Sequence, residues 1–298
     1  MSDIKNVGFV GLGIMGKPMA KNLIKAEYNV TVHDRVQPAV DDVVAAGASS
    51  VESSAAAAAG ADVIITMLPD GPDSELVILG EGGVLQGAAP GSVIVDMSSI
   101  APAFSQRIAA ACEAKGVDFL DAPVSGGEPM AISGALAIMV GGKQAVFDRV
   151  APMFEPLGAS AVLCGDYGAG NTTKLANQIM VAVNIAGVSE ALVLAKKAGL
   201  DPQKVFDAVK GGLAGSNVLN AKGPMMMAGN FAPGFRIGLH QKDLRNALLT
   251  ATDLAVPLPF TALVQQIVGS LVNDGKAQND HSAIANFIED MAGTTIAD

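Results

Sequence analysis

Short apolar runs separated by amphipathic stretches fill the first half of the chain. Asn6–Val10, Asn29–His33, Asp62–Met67, Ser92–Asp96 and Asp118–Ala122 are each five or six residues long and mostly bounded by Gly, Pro or Asp. Between them lie Met15–Ala26, Pro38–Ala46 and Ala101–Lys115, which are alanine-rich or carry apolar residues at helical spacing. Strands that alternate with helices of ten or so residues predict a parallel sheet covered on both faces. Two further strands are expected around Leu136–Val140 and Ala161–Cys164, with a helix over Gln144–Leu157 between them. The Ala55–Ala59 run is expected on a surface helix.

After Gly165 the pattern changes. Gly170–Ala198 reads as one long helix, roughly 40 Å at 1.5 Å per residue, stopped by Gly199. Asp201-Pro202 then reads as an N-cap followed by a proline in the first turn. Gln203–Gly211, Ser216–Gly223, Leu239–Asp253, Phe260–Asp274 and Ser282–Met291 continue in helical spacing, and none alternates as a strand would. The expectation is therefore a doubly wound, mostly parallel α/β domain over residues 1–165. An all-helical domain over 166–298 follows, entered through the long helix and serving substrate binding and oligomerisation.

Composition narrows the possibilities. A chain of 298 residues suits two domains, and 50% hydrophobic content supplies ample core. The richest apolar stretch, Leu175–Leu194, is broken by Asn177, Gln178, Asn184, Ser189 and Glu190, so a buried helix is expected there rather than a membrane span. A net charge of −10 disfavours nucleic acid and anionic membranes as partners. The first residues lack the pattern of a targeting segment, and a cytoplasmic location is expected. Cys112 and Cys164 have no metal-like spacing and are expected to be packed thiols in a reducing compartment; no metal is expected.

Four motifs carry candidate chemistry. Gly11-Leu12-Gly13-Ile14-Met15-Gly16 follows one strand and opens a helix. The first glycine permits a tight turn, the second lets a pyrophosphate approach the backbone, and the third allows close helix–sheet packing. The helix start offers N–H groups to the phosphates. Asp34 ends the next strand, where its carboxylate can accept both hydroxyls of an adenosine ribose and repel a 2′-phosphate. Arg35 beside it could pair with that phosphate, so NAD is the preferred cofactor and NADP remains possible. With strand, turn, helix and acid in register, a Rossmann-type domain is expected.

Met67-Leu68-Pro69 ends another strand on the edge where ligands sit in such sheets. Ser98 and Ser99 could reach the nicotinamide ribose or the substrate, or cap the helix starting near Pro102. Ser125-Gly126-Gly127 places a hydroxyl and backbone N–H groups in a turn suited to a carboxylate, although the motif taken alone favours a plain structural turn. In Gly168-Ala-Gly170-Asn-Thr-Thr-Lys174-Leu-Ala-Asn177-Gln178, the last three polar residues share one helix face near the expected domain seam. A lysine and two amides there would be costly if buried without partners. Lys242 could reach toward the same region, while His240 and His281 are expected to be hydrogen-bonded structural histidines.

Together these motifs resemble the β-hydroxyacid dehydrogenase family, the 3-hydroxyisobutyrate dehydrogenase-related enzymes, from Val7 to about His281. The resemblance implies Lys174 as the proton-transfer residue, aided by Asn177 or Gln178. It implies a substrate site at Ser125, Gly126, Gly127 and Ser99. The cofactor would lie against Gly11–Gly16, Asp34, Arg35, Met67–Pro69, Ser99 and Lys242. Many members carry asparagine four residues after the lysine, where this chain has Gln178. Ser125-Gly-Gly-Glu128-Pro129-Met-Ala131 is similar to members that reduce tartronate semialdehyde to D-glycerate. Other short semialdehydes or 3-hydroxyisobutyrate stand as alternative substrates, with a non-catalytic cofactor-binding module as the alternative of another class. A homo-oligomer, dimer or tetramer, is also implied.

Overall fold

The computed structural model describes residues 4–297. Nine strands occur among the described residues: β1 Asn6–Val10, β2 Asn29–His33, β3 Ser49–Ser50, β4 Val63–Thr66, β5 Val93–Asp96, β6 Asp118–Asp121, β7 Val124–Ser125, β8 Leu136–Gly142 and β9 Gly158–Gly165. Interleaved with them are α1 Gly16–Lys25, α2 Gln37–Val44, α3 Ser54–Ala58, α4 Gly71–Leu79, α5 Val84–Gly87, α6 Pro102–Glu113, α7 Gly127–Ser133 and α8 Gln144–Phe154. Helices alone follow: α9 Ala169–Lys197, α10 Pro202–Val209, α11 Asn217–Met227, α12 Ile237–Asp253, α13 Pro259–Asn273 and α14 Ile284–Ala292, with a single 3-10 turn at His281–Ala283. The chain divides into two units, one running to Lys174 and one starting at Leu175, so the boundary lies within α9.

In the first unit the strands run β3-β2-β1-β4-β5-β6-β8, with β9 on the far side of β8. Pairing is parallel from β3 to β6. Because β2 and β4 flank β1, connections leave the centre of the sheet in opposite directions and open a crevice at the carboxyl ends of β1 and β4. Only the β6–β8 and β7–β8 pairs are antiparallel. The connection from β7 to β8 carries only the short helix α7, less chain than a parallel crossover needs.

Burial explains the continuous apolar runs. Every residue of β4 and β5 is buried, as expected of strands covered on both faces. Alternate side chains feed two cores. Val63, Ile65, Val93 and Val95 pack with Met19 and Leu23 of α1. Ile64 and Ile94 face the other way, against Ile108 and Ala109 of α6. The alanine run departs from its expected surface position, since Ala57 and Ala58 are buried. A Cβ on Gly8 would lie 2.2 Å from the Ala57 carbonyl oxygen, so small residues on both sides let α3 rest on β1. Cys112 is packed as expected, and burial pushes its thiol up to about 12. Cys164 is not packed: it is exposed on β9, which pairs only with β8 and leaves much of its length uncovered.

The second unit is helical, as the pattern predicts. Ala182, Ile185, Leu192 and Val193 of α9 meet Leu244 of α12, Val264, Val268 and Leu271 of α13 and Ile284 of α14 in one core. By length and composition α9 could span a bilayer, with a mean hydropathy of 1.7 over its most apolar window. Its apolar face is instead used in this core. Asp201 caps α10 by accepting from the Gln203 N–H at 2.9 Å, with Pro202 in the first turn.

Candidate active site

The glycine turn sits at the carboxyl end of β1. Gly11 is buried with a φ of 98°, and a Cβ there would lie 2.3 Å from the Met67 carbonyl oxygen. Gly16 is closer still to its neighbour: its Cβ would lie 1.9 Å from the Gly11 carbonyl oxygen. Gly13 differs. It is exposed, and an added Cβ would meet nothing within 4 Å. The turn is therefore shaped by two glycines and left open above the third, which fits a pyrophosphate approaching bare backbone. The Asp34 carboxylate is joined to this turn: Oδ2 accepts from the Leu12 N–H at 2.6 Å and Oδ1 from the Val36 N–H at 2.8 Å. Those two bonds leave lone pairs on each oxygen. A ribose hydroxyl pair beside the turn could use them. Arg35 is exposed next to it.

Met67, Leu68 and Pro69 follow β4 on the same edge, with Pro69 exposed. Ser98 lies just after β5. It is fully buried, and its Oγ accepts from the Leu68 N–H at 2.8 Å, joining the turns that follow two adjacent strands. Neither serine caps α6, whose N-cap is Ala101 with no side-chain hydrogen bond. Ser99 remains half-buried at the strand end.

Asp96 lies beneath these serines. It is completely buried; its Oδ1 accepts from Thr66 Oγ1 at 2.9 Å and from the Ser98 N–H at 3.1 Å. Neither its Oδ2 nor the Ser74 hydroxyl makes a well-formed hydrogen bond, although Ser74 is near enough to the carboxyl to oppose the effect of burial. Burial raises the carboxyl above its usual range. A raised folded-state pKa means that the folded chain holds the proton more tightly than the unfolded chain. The stability so contributed is complete below the unfolded value and is lost as pH rises through the folded value. Asp96→Asn keeps the Oδ1 acceptor and places a donor toward Ser74. The variant should melt above the parent at pH 8, by about 2–4 °C for each kcal/mol recovered, with the gap closing at pH 4. Thermal melts followed by circular dichroism test this, and a variant that melts lower at both pH values would contradict it.

The Ser125-Gly126-Gly127 turn follows β7. Gly126 and Gly127 have φ values of 141° and 68°, and a Cβ on Gly126 would lie 2.6 Å from that of Met130, so residues with side chains are disfavoured at both positions. Gly127 opens α7, which Asn22 holds against α1 by donating to the Ala131 carbonyl at 2.8 Å. The cofactor-turn helix and the Ser125 turn thus share one polar tie that the motifs did not reveal.

Lys174 lies in the second turn of α9 and is only 5% exposed. In the second unit, the Asn177 amide donates to Gln178 Oε1 at 2.8 Å, and Gln178 Nε2 donates to Asp243 Oδ2 at 2.7 Å. Asp243 also receives Lys242 Nζ at 3.1 Å. The two amides and Asp243 therefore form one hydrogen-bonded chain. His240 and His281 are buried, with their Nδ1 atoms 2.9 Å apart, as structural histidines would be.

Comparison with known proteins gives this geometry its context. Residues 6–165 match the family described as the NAD binding domain of 6-phosphogluconate dehydrogenase, and residues 168–288 match the NAD-binding domain of NADP-dependent 3-hydroxyisobutyrate dehydrogenase. The chain is 47% identical over 291 residues to the 2-hydroxy-3-oxopropionate reductase of Escherichia coli, covering 98% of this chain and 99% of that one. It is 40% identical to the 2-(hydroxymethyl)glutarate dehydrogenase of Eubacterium barkeri, covering 98% and 97%. A structure of the Mycobacterium tuberculosis 3-hydroxyisobutyrate dehydrogenase with L-serine superposes with a TM-score of 0.88 at 33% identity, covering 96% and 99%. A Rossmann-type sheet with a shaped glycine turn, followed by an all-helical unit and matched along nearly its whole length, places this chain in the 3-hydroxyisobutyrate dehydrogenase-related family of NAD(P)-dependent β-hydroxyacid dehydrogenases.

Proposed function

We propose that the enzyme reversibly reduces 2-hydroxy-3-oxopropionate, or tartronate semialdehyde, to D-glycerate, with Lys174 as general acid and base. The observation that carries this reading is the lysine itself, buried in the second turn of a helix that begins beside the carboxyl edge of the sheet. When bound, the nicotinamide cofactor supplies the hydride to the carbonyl carbon. The protonated Lys174 amine donates its proton to the carbonyl oxygen as that oxygen becomes a hydroxyl, and its charge stabilises the developing negative oxygen beforehand. In the oxidative direction the neutral amine takes the hydroxyl proton. The Ser125-Gly126-Gly127 turn would hold the substrate carboxylate, with Ser99 beside it. Asn177 and Gln178 would steady the lysine or the substrate oxygen.

The cofactor would be held by the Gly11–Gly16 turn, Asp34, Arg35, Met67–Pro69, Ser99 and Lys242. NAD is preferred in this reading because the Asp34 carboxylate repels a 2′-phosphate.

The substrate class follows from chemistry shared by the relatives. Glycerate, 3-hydroxyisobutyrate, L-serine and 2-(hydroxymethyl)glutarate are all 3-hydroxypropionates that differ only in the group on carbon 2. An enzyme for this class needs a carboxylate site and a proton donor at fixed separation, with a variable pocket for that group. A 3-hydroxyisobutyrate-type substrate is the second reading, favoured by the similarity to the mycobacterial structure.

The test is NADH oxidation with 2-hydroxy-3-oxopropionate, methylmalonate semialdehyde and succinic semialdehyde, repeated with NADPH. The first aldehyde with NADH should give the highest kcat/KM. Preference for methylmalonate semialdehyde would establish the second reading. Preference for succinic semialdehyde, whose carbonyl lies one carbon farther from the carboxylate, would defeat both. We also propose a cytoplasmic homo-oligomer. The second unit leaves Met180, Leu194, Phe260 and Leu263 exposed, an apolar surface that a second copy would cover.

A further inference from the structure

Three elements of the first unit meet at the start of α9 through fully buried polar groups. Asp121, the last residue of β6, accepts from the Gly168 N–H through Oδ1 at 2.7 Å and from the Asn171 N–H through Oδ2 at 2.8 Å. Asn171 then reaches outward with both ends of its amide. Its Oδ1 accepts from the Ile100 N–H at 3.0 Å, and its Nδ2 donates to Ser105 Oγ of α6 at 3.0 Å. Asp121, Asn171 and Ser105 have no solvent-exposed surface.

Missing side chains make this arrangement possible. A Cβ on Gly170 would lie 2.5 Å from the carbonyl oxygens of Asp121 and Met139, and one on Gly141 would lie 2.4 Å from Asp121 Oδ1. The two glycines thus form a cradle around the carboxylate. They let the first turn of α9 press directly on the ends of β6 and β8. Thr172 and Thr173 bond back to the Gly168 and Ala169 carbonyls, so they offer no alternative anchor to the sheet.

The first N–H groups of a helix lack intrahelical partners, and the two bonds to Asp121 satisfy that need in the ordinary way of a cap. The two further bonds, which join the Asn171 amide to the Ile100 N–H after β5 and to Ser105 of α6, go beyond capping. They fix the rotation and the height of the turn immediately before Lys174. We propose that Asp121 and Asn171 are positioning residues for Lys174, anchoring the first turn of α9 so that the lysine amine is held where the reacting oxygen will lie. This rests on Lys174 being the proton-transfer residue. A displacement of about 1 Å at a proton donor can cost on the order of 10²-fold in turnover, which sets the effect to look for. Burial pushes the Asp121 carboxyl up to about 6, while the two N–H groups oppose that rise and the charge of Asp96 adds to it.

The experiment is a double-mutant cycle on the full chain. Asn171→Ala, Lys174→Ala and the double variant would be assayed for turnover of 2-hydroxy-3-oxopropionate with NADH, and for NADH affinity by fluorescence titration. Asn171→Ala should lower kcat about 10²-fold, with NADH affinity within twofold of the parent. In the Lys174→Ala background the same change should lower the residual turnover less than twofold, because there is no longer an amine to misplace. Equal losses in both backgrounds would overturn the proposal and leave Asn171 a structural residue. Unaltered turnover in Asn171→Ala would do the same. If Asn171→Ala does not fold, Ser105→Ala removes a single bond of the four and takes its place in the cycle, with a several-fold loss expected only when Lys174 is present. Full turnover in Lys174→Ala alone would instead bring down the functional reading on which this one rests.

Discussion

Lys174→Met should lower kcat by about 10²–10⁴-fold, the usual contribution of a positioned proton donor, while NADH still binds. Methionine is the informative replacement because Lys174 is 95% buried. Alanine also removes the amine but leaves a cavity along the lysine stem, at a cost in stability. Methionine fills most of that volume and has no proton to give. The melting temperature should stay near that of the parent, and NADH titration should give the parent's dissociation constant, since no part of the glycine turn is touched. Turnover in both directions should fall together, because the same amine gives the proton in reduction and takes it in oxidation. A Lys174→Met variant with more than a tenth of parental kcat would rule out the lysine as the proton-transfer group.

The second large effect separates two glycines that look alike in the motif. Gly13→Ala should fold as well as the parent, because its Cβ enters open space and its φ lies outside the left-handed region. That same space is where a pyrophosphate would approach, so NADH affinity should fall at least tenfold, about 1.4 kcal/mol. Gly16→Ala should behave differently. Its Cβ would collide with the Gly11 carbonyl oxygen, and the turn must shift to relieve it. Overpacking of this kind costs about 1–3 kcal/mol, so both the melting temperature and NADH binding should decline. Melting curves and fluorescence titrations of the two variants provide the check. If Gly13→Ala bound NADH like the parent, the turn would not be the pyrophosphate site.

These glycines mark how far a sequence can be read. Spacing located the turn and the acid at Asp34, because strand, turn and helix follow one another without a gap. It also assigned the second glycine to the pyrophosphate and the third to close packing; the contacts that crowd Gly11 and Gly16, with the Met67 and Gly11 carbonyls, came only with the fold. The boundaries of β1 and β2 match the apolar runs residue for residue. The two-residue strands β3 and β7 and the short helices α3, α5 and α7 are too brief to show a period; only the Ala55–Ala59 run and the Ser125-Gly126-Gly127 turn stood out among them. Ser98 was read as a ligand-facing or capping residue. Its buried bond to Leu68, thirty residues away, lies beyond any local pattern.

The long helix shows the same division. Its length, its apolar character and the three polar residues along one face all follow from residue order, because helical spacing is a local property. Spacing and place near the expected seam drew attention to Lys174, and the family resemblance made it the residue to test. What holds its helix in place could not. Asp121, Ile100 and Ser105 reach Asn171 or its neighbours across 47 to 71 residues. Such bonds form only after the sheet has brought the ends of β5 and β6 together. Local chemistry determined which groups this protein carries, and the tertiary fold decided which of them are buried, paired and held still, because burial and pairing depend on chain segments that only folding brings into contact.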